Sequence, residues 1–199
     1  MDELVFTLPT DPRAQPLIDD LGRDYDERYG LNDGIPSSFE LRRYPAEQFA
    51  AATGGAFLLV IRDDVVVAGG AFKRVSASVA EIKRVWTNPA YRRQGLARIV
   101  MAALESAAQD AGYTVAELTT GARQPEAVAL YLSLGYSPLF DLDGDYEEIS
   151  YLSFRKELAG ALREPQRTGS PQRSGSPQRS GGPQRSGAPQ RTGAPGRAS

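Results

Sequence analysis

Asn88-Pro89-Ala90-Tyr91-Arg92-Arg93-Gln94-Gly95-Leu96-Ala97-Arg98 is the stretch from which the fold is read. Pro89 lacks the donor that a strand ladder requires, so the β-branched run Val79 to Thr87 must stop at Asn88. Beyond the turn, Leu96, Ile99, Val100, Ala103, Leu104 and Ala107 recur at helical spacing, and Gly112 stands where a C-terminal cap belongs. A strand therefore passes through a basic, glycine-containing turn into a helix. Such a turn has the parts of an anion site: free N–H groups and the helix dipole favour negative charge. Gly95 lets backbone approach the anion closely, and Arg92, Arg93 and Arg98 add charge. A solvated basic cap on an ordinary helix is the competing reading of the same residues.

N-terminal to this segment, Ala56 to Arg62 and Val65 to Lys73 are apolar, β-branched runs joined by Asp63-Asp64, the pattern of a hairpin of central strands. Further upstream, Glu3 to Leu8 reads as a first strand. Thr10-Asp11-Pro12 then opens a helix patterned by Leu17, Leu21 and Tyr25. Gly30 to Ser38 is turn-rich, and a second short helix fits Pro45 to Ala52. Downstream come a strand at Thr114 to Leu118 and a helix at Pro125 to Leu134 ended by Gly135. Two strands follow, Tyr136 to Phe140 and about Tyr146 to Lys156. This order predicts an α/β layered domain with a mixed sheet.

Composition narrows the chemistry. The 199 residues include no Cys and no His, which excludes Ser-His-Asp and Cys-His nucleophile systems, an ordinary zinc site, disulfides and a covalent thioester on Cys. Any base must be a carboxylate, Lys or Tyr. From Pro165 the chain repeats Pro-Gln-Arg-Ser/Thr-Gly plus one small residue, with Pro at 165, 171, 177, 183, 189 and 195. Pro apart, the repeat offers no aliphatic or aromatic side chain larger than Ala, so residues 165–199 are expected to form a disordered tail behind a domain at 1–164. The tail carries six Arg and no acid, and the net charge of -2 thus conceals a body at -8. An acidic body argues against nucleic-acid binding and suits cationic or amine substrates. The acidic Met1-Asp2-Glu3-Leu4 start and the short apolar runs predict a soluble, cytoplasmic protein with no membrane span.

Two further segments flank the turn: Ala80-Glu81-Ile82-Lys83-Arg84-Val85-Trp86 before it, and Gln124-Pro125-Glu126-Ala127-Val128-Ala129-Leu130-Tyr131-Leu132-Ser133-Leu134-Gly135-Tyr136 after the next strand. Together they resemble the GNAT superfamily of N-acetyltransferases. Arg92-x-x-Gly95-x-Ala97 is similar to its acetyl-CoA pyrophosphate loop, and Gln124, Ala127 and Tyr131 match a family spacing that more often begins with Asn. A bacterial subgroup with Glu-Ile-Lys-Arg before the loop and Leu-Glu-Thr-Gly-x-x-Gln after it is the nearest likeness. Here Thr119 replaces that second Glu. The resemblance, over roughly Ala56 to Lys156, implies a GNAT-like, mostly antiparallel mixed sheet flanked by helices, with acetyl-CoA as co-substrate and no metal.

The resemblance also assigns roles. Glu81 is the candidate base, its alternative being a plain ion pair with Lys83 on the same strand face. Tyr131 is the candidate acid for the coenzyme A thiolate, its alternative a packed aromatic. The Val85 N–H would polarise the thioester carbonyl, with Trp86 and Thr87 adding backbone contacts to the pantetheine arm. Arg92, Arg93, Gln94, Gly95, Leu96, Ala97 and Arg98 would hold the pyrophosphate, with Gln124 and Tyr131 completing the cofactor set. The acceptor side would comprise Asp19 to Arg43 and Asp141 to Glu148. Asp141, Asp143, Asp145, Glu147 and Glu148 either attract an ammonium or form an exposed acidic turn. The expected activity is direct acetyl transfer in a ternary complex to a small amine or a protein amine, with a homodimer left open. The competing classes are a catalytically silent acyl-CoA-binding module and an interaction protein acting through its Arg-rich tail.

Overall fold

Asp63 and Asp64 take the positive φ values, 49° and 63°, of a two-residue hairpin turn, and the two strands they join are central. The computed structural model describes residues 1–158; the expected boundary at 164 and the tail at 165–199 lie outside the described residues. In chain order the elements are β1 (Glu3–Thr7), α1 (Gln15–Tyr29), β2 (Leu31–Asn32), β3 (Ile35–Pro36), β4 (Ala56–Arg62), β5 (Val65–Arg74), β6 (Val79–Thr87), α2 (Leu96–Asp110), β7 (Val115–Gly121), α3 (Pro125–Ser133), β8 (Ser137–Pro138), α4 (Tyr146–Ile149) and β9 (Tyr151–Glu157). Seven strands form one sheet in the order β1-β4-β5-β6-β7-β9-β8. Only β6 and β7 run parallel; the other neighbours are antiparallel. This is the mixed, mostly antiparallel sheet expected.

Strand alternation divides the core into two layers. Phe57 and Leu59 face α1, where they pack with Leu17, Leu21, Phe49 and Trp86. Leu58 and Val60 face the opposite side, with Val100, Met101 and Leu104 of α2, Tyr131 of α3 and Phe154 of β9. Gly70 makes close contact possible there. A Cβ on it would lie 2.9 Å from Val100 Cγ1 and 3.0 Å from Leu104 Cδ1, so α2 rests directly on the β5 backbone.

Three local expectations are corrected and one is refined. The helix expected at Pro45 to Ala52 is a pair of 3-10 turns, Ala46–Phe49 and Ala51–Thr53; so short a window does not support helix nucleation, and burial of Phe49 shapes it instead. The strand expected over Tyr136 to Phe140 shrinks to Ser137–Pro138, because Pro138 cannot donate to a ladder. Tyr146 to Ile149 is helical rather than extended, since the Asp145 carboxylate caps it by accepting from Glu147 N at 2.9 Å. Within the turn-rich stretch, Asp33-Gly34 with φ of 51° and 78° turns the small β2–β3 hairpin.

Candidate active site

The β6–β7 pairing covers only Val79–Ile82 against Val115–Leu118. Past those residues, the rest of β6 and Thr119–Gly121 of β7 have no ladder between them, and the two parallel strands part toward their C-terminal ends. The cause is a bulge in β6. Ala71 pairs with Lys83 and Gly69 with Trp86, so Arg84 and Val85 stand opposite the single residue Gly70. Arg84 carries the bulge at φ 59°, a conformation costing about 1–3 kcal/mol in a side-chain-bearing residue. It is held there from the α1 side. Its Nη2 donates to Leu41 O at 2.6 Å, and its Cζ lies 4.3 Å from the Phe49 ring centroid. Burial lowers its pKa, and it forms no ion pair among the described residues.

The parted strands lead to two helix N-termini, the place where α/β sheets bind ligands. Asn88 caps the 3-10 turn Pro89–Tyr91 by accepting from Ala90 N at 3.0 Å. Arg93 and Gly95 then take φ of 61° and 78°. The first bonds of α2 run from Arg98 N and Ile99 N to Gly95 O, which leaves the Leu96 and Ala97 N–H groups pointing out of the helix end. Nothing lies within 4 Å of a Cβ built on Gly95. Arg92 and Arg93 are exposed and form no ion pair among the described residues. The other loop side chains have partners: Gln94 Oε1 accepts from Arg62 Nη1 at 2.7 Å, and Arg98 Nη2 donates to Ser133 Oγ at 2.8 Å. Leu96 is a core side chain, so only its backbone faces the loop.

Of the remaining expected residues, Val85 stands in the bulge beside the gap, while Trp86 turns its ring into the α1 layer and donates to Asp20 Oδ2 at 2.8 Å. Thr87 ends β6, paired with Ala68. Gln124 begins α3, and its Oε1 accepts from Thr120 Oγ1 at 2.6 Å and from Gly121 N at 3.3 Å. Tyr131 is buried between Phe154 and Tyr136, with ring centroids 5.6 and 5.9 Å away. Burial raises its pKa, so the phenol stays protonated across the neutral range.

Glu81 lies on the α1 face of β6. The ion pair with Lys83 that was its alternative reading is present at 3.1 Å, and Lys73, directly opposite on β5, adds another at 2.8 Å. Burial pushes the Glu81 carboxyl up, but the Lys73 and Lys83 ammoniums pull it down by more, and the net shift is downward. Beside it is a depression of about 160 Å³, lined by Glu81, Glu117, Thr119, Ser153, Leu139 and Phe154. Sequence reasoning does not assign Lys73, Arg84, Glu117 or Ser153 to this region. Their placement depends on register and on a bulge for which the chain carries no local signal.

The acidic turn is used structurally in part. Asp141 accepts from Asp143 N at 3.0 Å, Asp145 caps α4, and Glu147 pairs with Arg123 at 3.0 Å. Among the described residues no group of three or more acidic side chains is placed to hold a metal. No helix there is long and apolar enough to cross a membrane.

Residues 18–136 match the sequence model of the acetyltransferase (GNAT) family. The match covers more than half of the chain, which therefore belongs to that family. Among solved structures, it is similar to a Klebsiella pneumoniae protein assigned as an acyl-CoA N-acyltransferase, with 24% identity and a TM-score of 0.61 over 80% of this chain and 99% of that one. A GNAT-family acetyltransferase from Staphylococcus aureus Mu50 gives 14% identity and a TM-score of 0.62 over 79% and 100%. A GNAT-family acetyltransferase from Elizabethkingia anophelis with acetyl-CoA bound gives 13% and 0.54 over 79% and 98%. Identities this low establish the fold. No curated protein matches the chain.

Proposed function

We propose that this chain is an acetyl-CoA-dependent N-acetyltransferase that passes the acetyl group directly to an amine in a ternary complex. The observation that carries the reading is the parting of β6 from β7 beside a helix start that has outward N–H groups, an uncrowded Gly95 and two arginines without an ion pair among the described residues. Those features fit a diphosphate followed by an extended arm: the N–H groups and Arg92 and Arg93 meet the anion, and the gap leaves strand edges for amide hydrogen bonds. Membership of the GNAT family and the acetyl-CoA in the Elizabethkingia structure support the same ligand.

When bound, acetyl-CoA supplies an activated acyl carbon and a thiolate leaving group. In this reading the Val85 N–H, set in the bulge, donates to the acyl oxygen and stabilises the charge that develops there. Trp86 and Thr87 align the arm through backbone, and Gln124, its Oε1 engaged, retains only its amide N–H groups for the cofactor. Tyr131 donates a hydrogen bond to the departing sulfur. Because burial raises the Tyr131 pKa while an ordinary thiol titrates near about 8.5, the phenol acts mainly by that hydrogen bond rather than by giving up its proton completely. Glu81 accepts the proton from the amine, directly or through one water. The domain is assigned to residues 1–164, with 165–199 as an appendage that takes no part in transfer.

The test is thiol release from acetyl-CoA by the full chain across a panel of amines, repeated with Glu81→Gln. Amine-dependent release that falls by roughly 10²–10⁴-fold in the variant is the expected result. Acetyl-CoA binding without release for any amine would instead identify a silent acyl-CoA-binding module.

A further inference from the structure

If the chain is a transferase, a reading on which this inference rests, the charges around Glu81 decide which amine it accepts. Lys73 Nζ on β5 and Lys83 Nζ on β6 lie 2.8 and 3.1 Å from the two Glu81 oxygens. Lys83 also lies 3.7 Å from Glu40, on the 3-10 turn Ser37–Arg42, and Glu40 pairs with Arg43 at 3.3 Å. Glu117 of β7, the other carboxylate of the depression, is paired with Arg155 of β9 at 2.6 Å. Arg155 also meets Glu157 at 3.3 Å. Lys73, Lys83, Arg43 and Arg155 thus balance Glu81, Glu40, Glu117 and Glu157, and the buried Arg84, which acts on Glu40 and has no ion pair among the described residues, leaves one positive charge in excess. Both lysine ammoniums also lie on the Tyr44 ring, 4.7 and 4.8 Å from its centroid. An aromatic face that could have held a cation is already occupied by two. The groups left for a ligand in the depression are uncharged: the Thr119 and Ser153 hydroxyls, 3.4 Å apart, and the Leu139 side chain.

An ammonium entering this group would add a further cation to one already in excess. A neutral amine would not. The downward shift of Glu81 points the same way, since a carboxylate held by two lysines is a weak base. We propose that the acceptor is the α-amine of a peptide, an amine substantially uncharged at neutral pH, and not an alkylammonium such as a lysine side chain. The hydroxyls of Thr119 and Ser153 are suited to the peptide's carbonyl and N–H groups, and Leu139 to an apolar side chain. An α-amine titrating near about 7.8 is about one-third neutral at about pH 7.5, whereas an ε-amine near about 10.4 is about 0.1% neutral, an advantage on the order of 200-fold before any contact is made.

The experiment compares kcat/KM of the full chain for alanyl-alanyl-alanine amide and for Nα-acetyl-lysine amide from pH 6.5 to 9.5. The expected result is a preference of about 1,000-fold or more for the α-amine at pH 7.5, beyond the roughly 200-fold that the amines' own pKa values give, and it narrows as pH rises. Lys73→Met, or Lys83→Met should the first not fold, removes the excess charge and should reduce the preference about tenfold. Equal turnover of the two probes, or a preference unchanged in the folded variant, overturns the proposal and leaves the transferase reading intact. Turnover of other low-pKa amines without the peptide overturns the peptide assignment alone. Failure of every amine, with acetyl-CoA bound, overturns both readings.

Discussion

Substituting Gly95 tests whether the start of α2 is the acetyl-CoA site. Gly95 takes φ 78°, and no atom lies within 4 Å of a Cβ placed on it, so a side chain there meets a backbone cost but no clash. That cost is about 1–2 kcal/mol for a residue with a Cβ and less for Asn. For a domain of this size each 1 kcal/mol lowers Tm by about 2–4 °C, so Gly95→Asn and Gly95→Glu should both remain folded at 25 °C. Binding should respond far more. A carboxylate about 6 Å from one diphosphate charge, at an effective dielectric constant of about 20, is repelled by about 3 kcal/mol. That corresponds to a loss of affinity of more than about 100-fold. Isothermal titration with acetyl-CoA, alongside thermal melts of the same samples, separates the two effects. A folded Gly95→Glu protein that binds acetyl-CoA as tightly as the unaltered chain would refute the placement of the diphosphate, and with it the reaction geometry built on that placement.

Tyr131→Phe keeps the ring contacts with Phe154 and Tyr136 and removes only the hydroxyl, so turnover should fall at least tenfold with Tm nearly unchanged; full activity would leave Tyr131 a packed aromatic. Gly70→Ala should destabilise by about 1–3 kcal/mol through overpacking against Val100 and Leu104, read from urea unfolding. The folded pKa of Glu81 lies below its unfolded value of about 4.3. Its ion pairs therefore stabilise the protein above that pH and are lost as pH falls through the folded value. Unfolding at pH 7 and pH 3 should accordingly show a larger loss for the unaltered chain than for Glu81→Gln. Truncation after Glu164 should leave both Tm and turnover of a saturating amine unchanged.

Most of the architecture was legible because it depends on local chemistry. Pro89 ends a strand, the spacing of Leu96, Val100 and Leu104 makes a helix, and Asp63-Asp64 turns a hairpin. The β2–β3 hairpin was legible in principle through Asp33-Gly34, but its strands are too short for alternation to show. The Tyr146 helix was obscured by the apolar residues around it, and its signal was Asp145 as a cap. Within the candidate site, Gly95 and its arginines are read directly from the sequence, because a basic glycine turn at a helix start is a local object. Arg84 is not. Ala80, Ile82, Arg84 and Trp86 keep a period of two, so nothing in the chain marks the residue where the pleat breaks. Lys73 was equally hidden: it reaches Glu81 only through the antiparallel register of β5 and β6, which no short segment encodes.

The bulge ties these hidden features to the visible ones. Two residues of β6 against one of β5 turn the strand out of the β7 ladder, and the turn occurs at Gly70, the residue whose missing Cβ lets Val100 and Leu104 of α2 rest on the sheet. The same glycine therefore faces the bulge that opens the gap and seats the helix whose first turn is the proposed anion site. Arg84 holds the bulge from the opposite face through Leu41 and Phe49, both in the segment that also supplies Glu40 and Tyr44 to the group around Glu81. A change that relaxed Arg84 toward ordinary extended geometry would favour re-pairing of β6 with β7 and narrow the gap. In the proposed reading, the strain at Arg84 is thus what keeps the gap for the cofactor open.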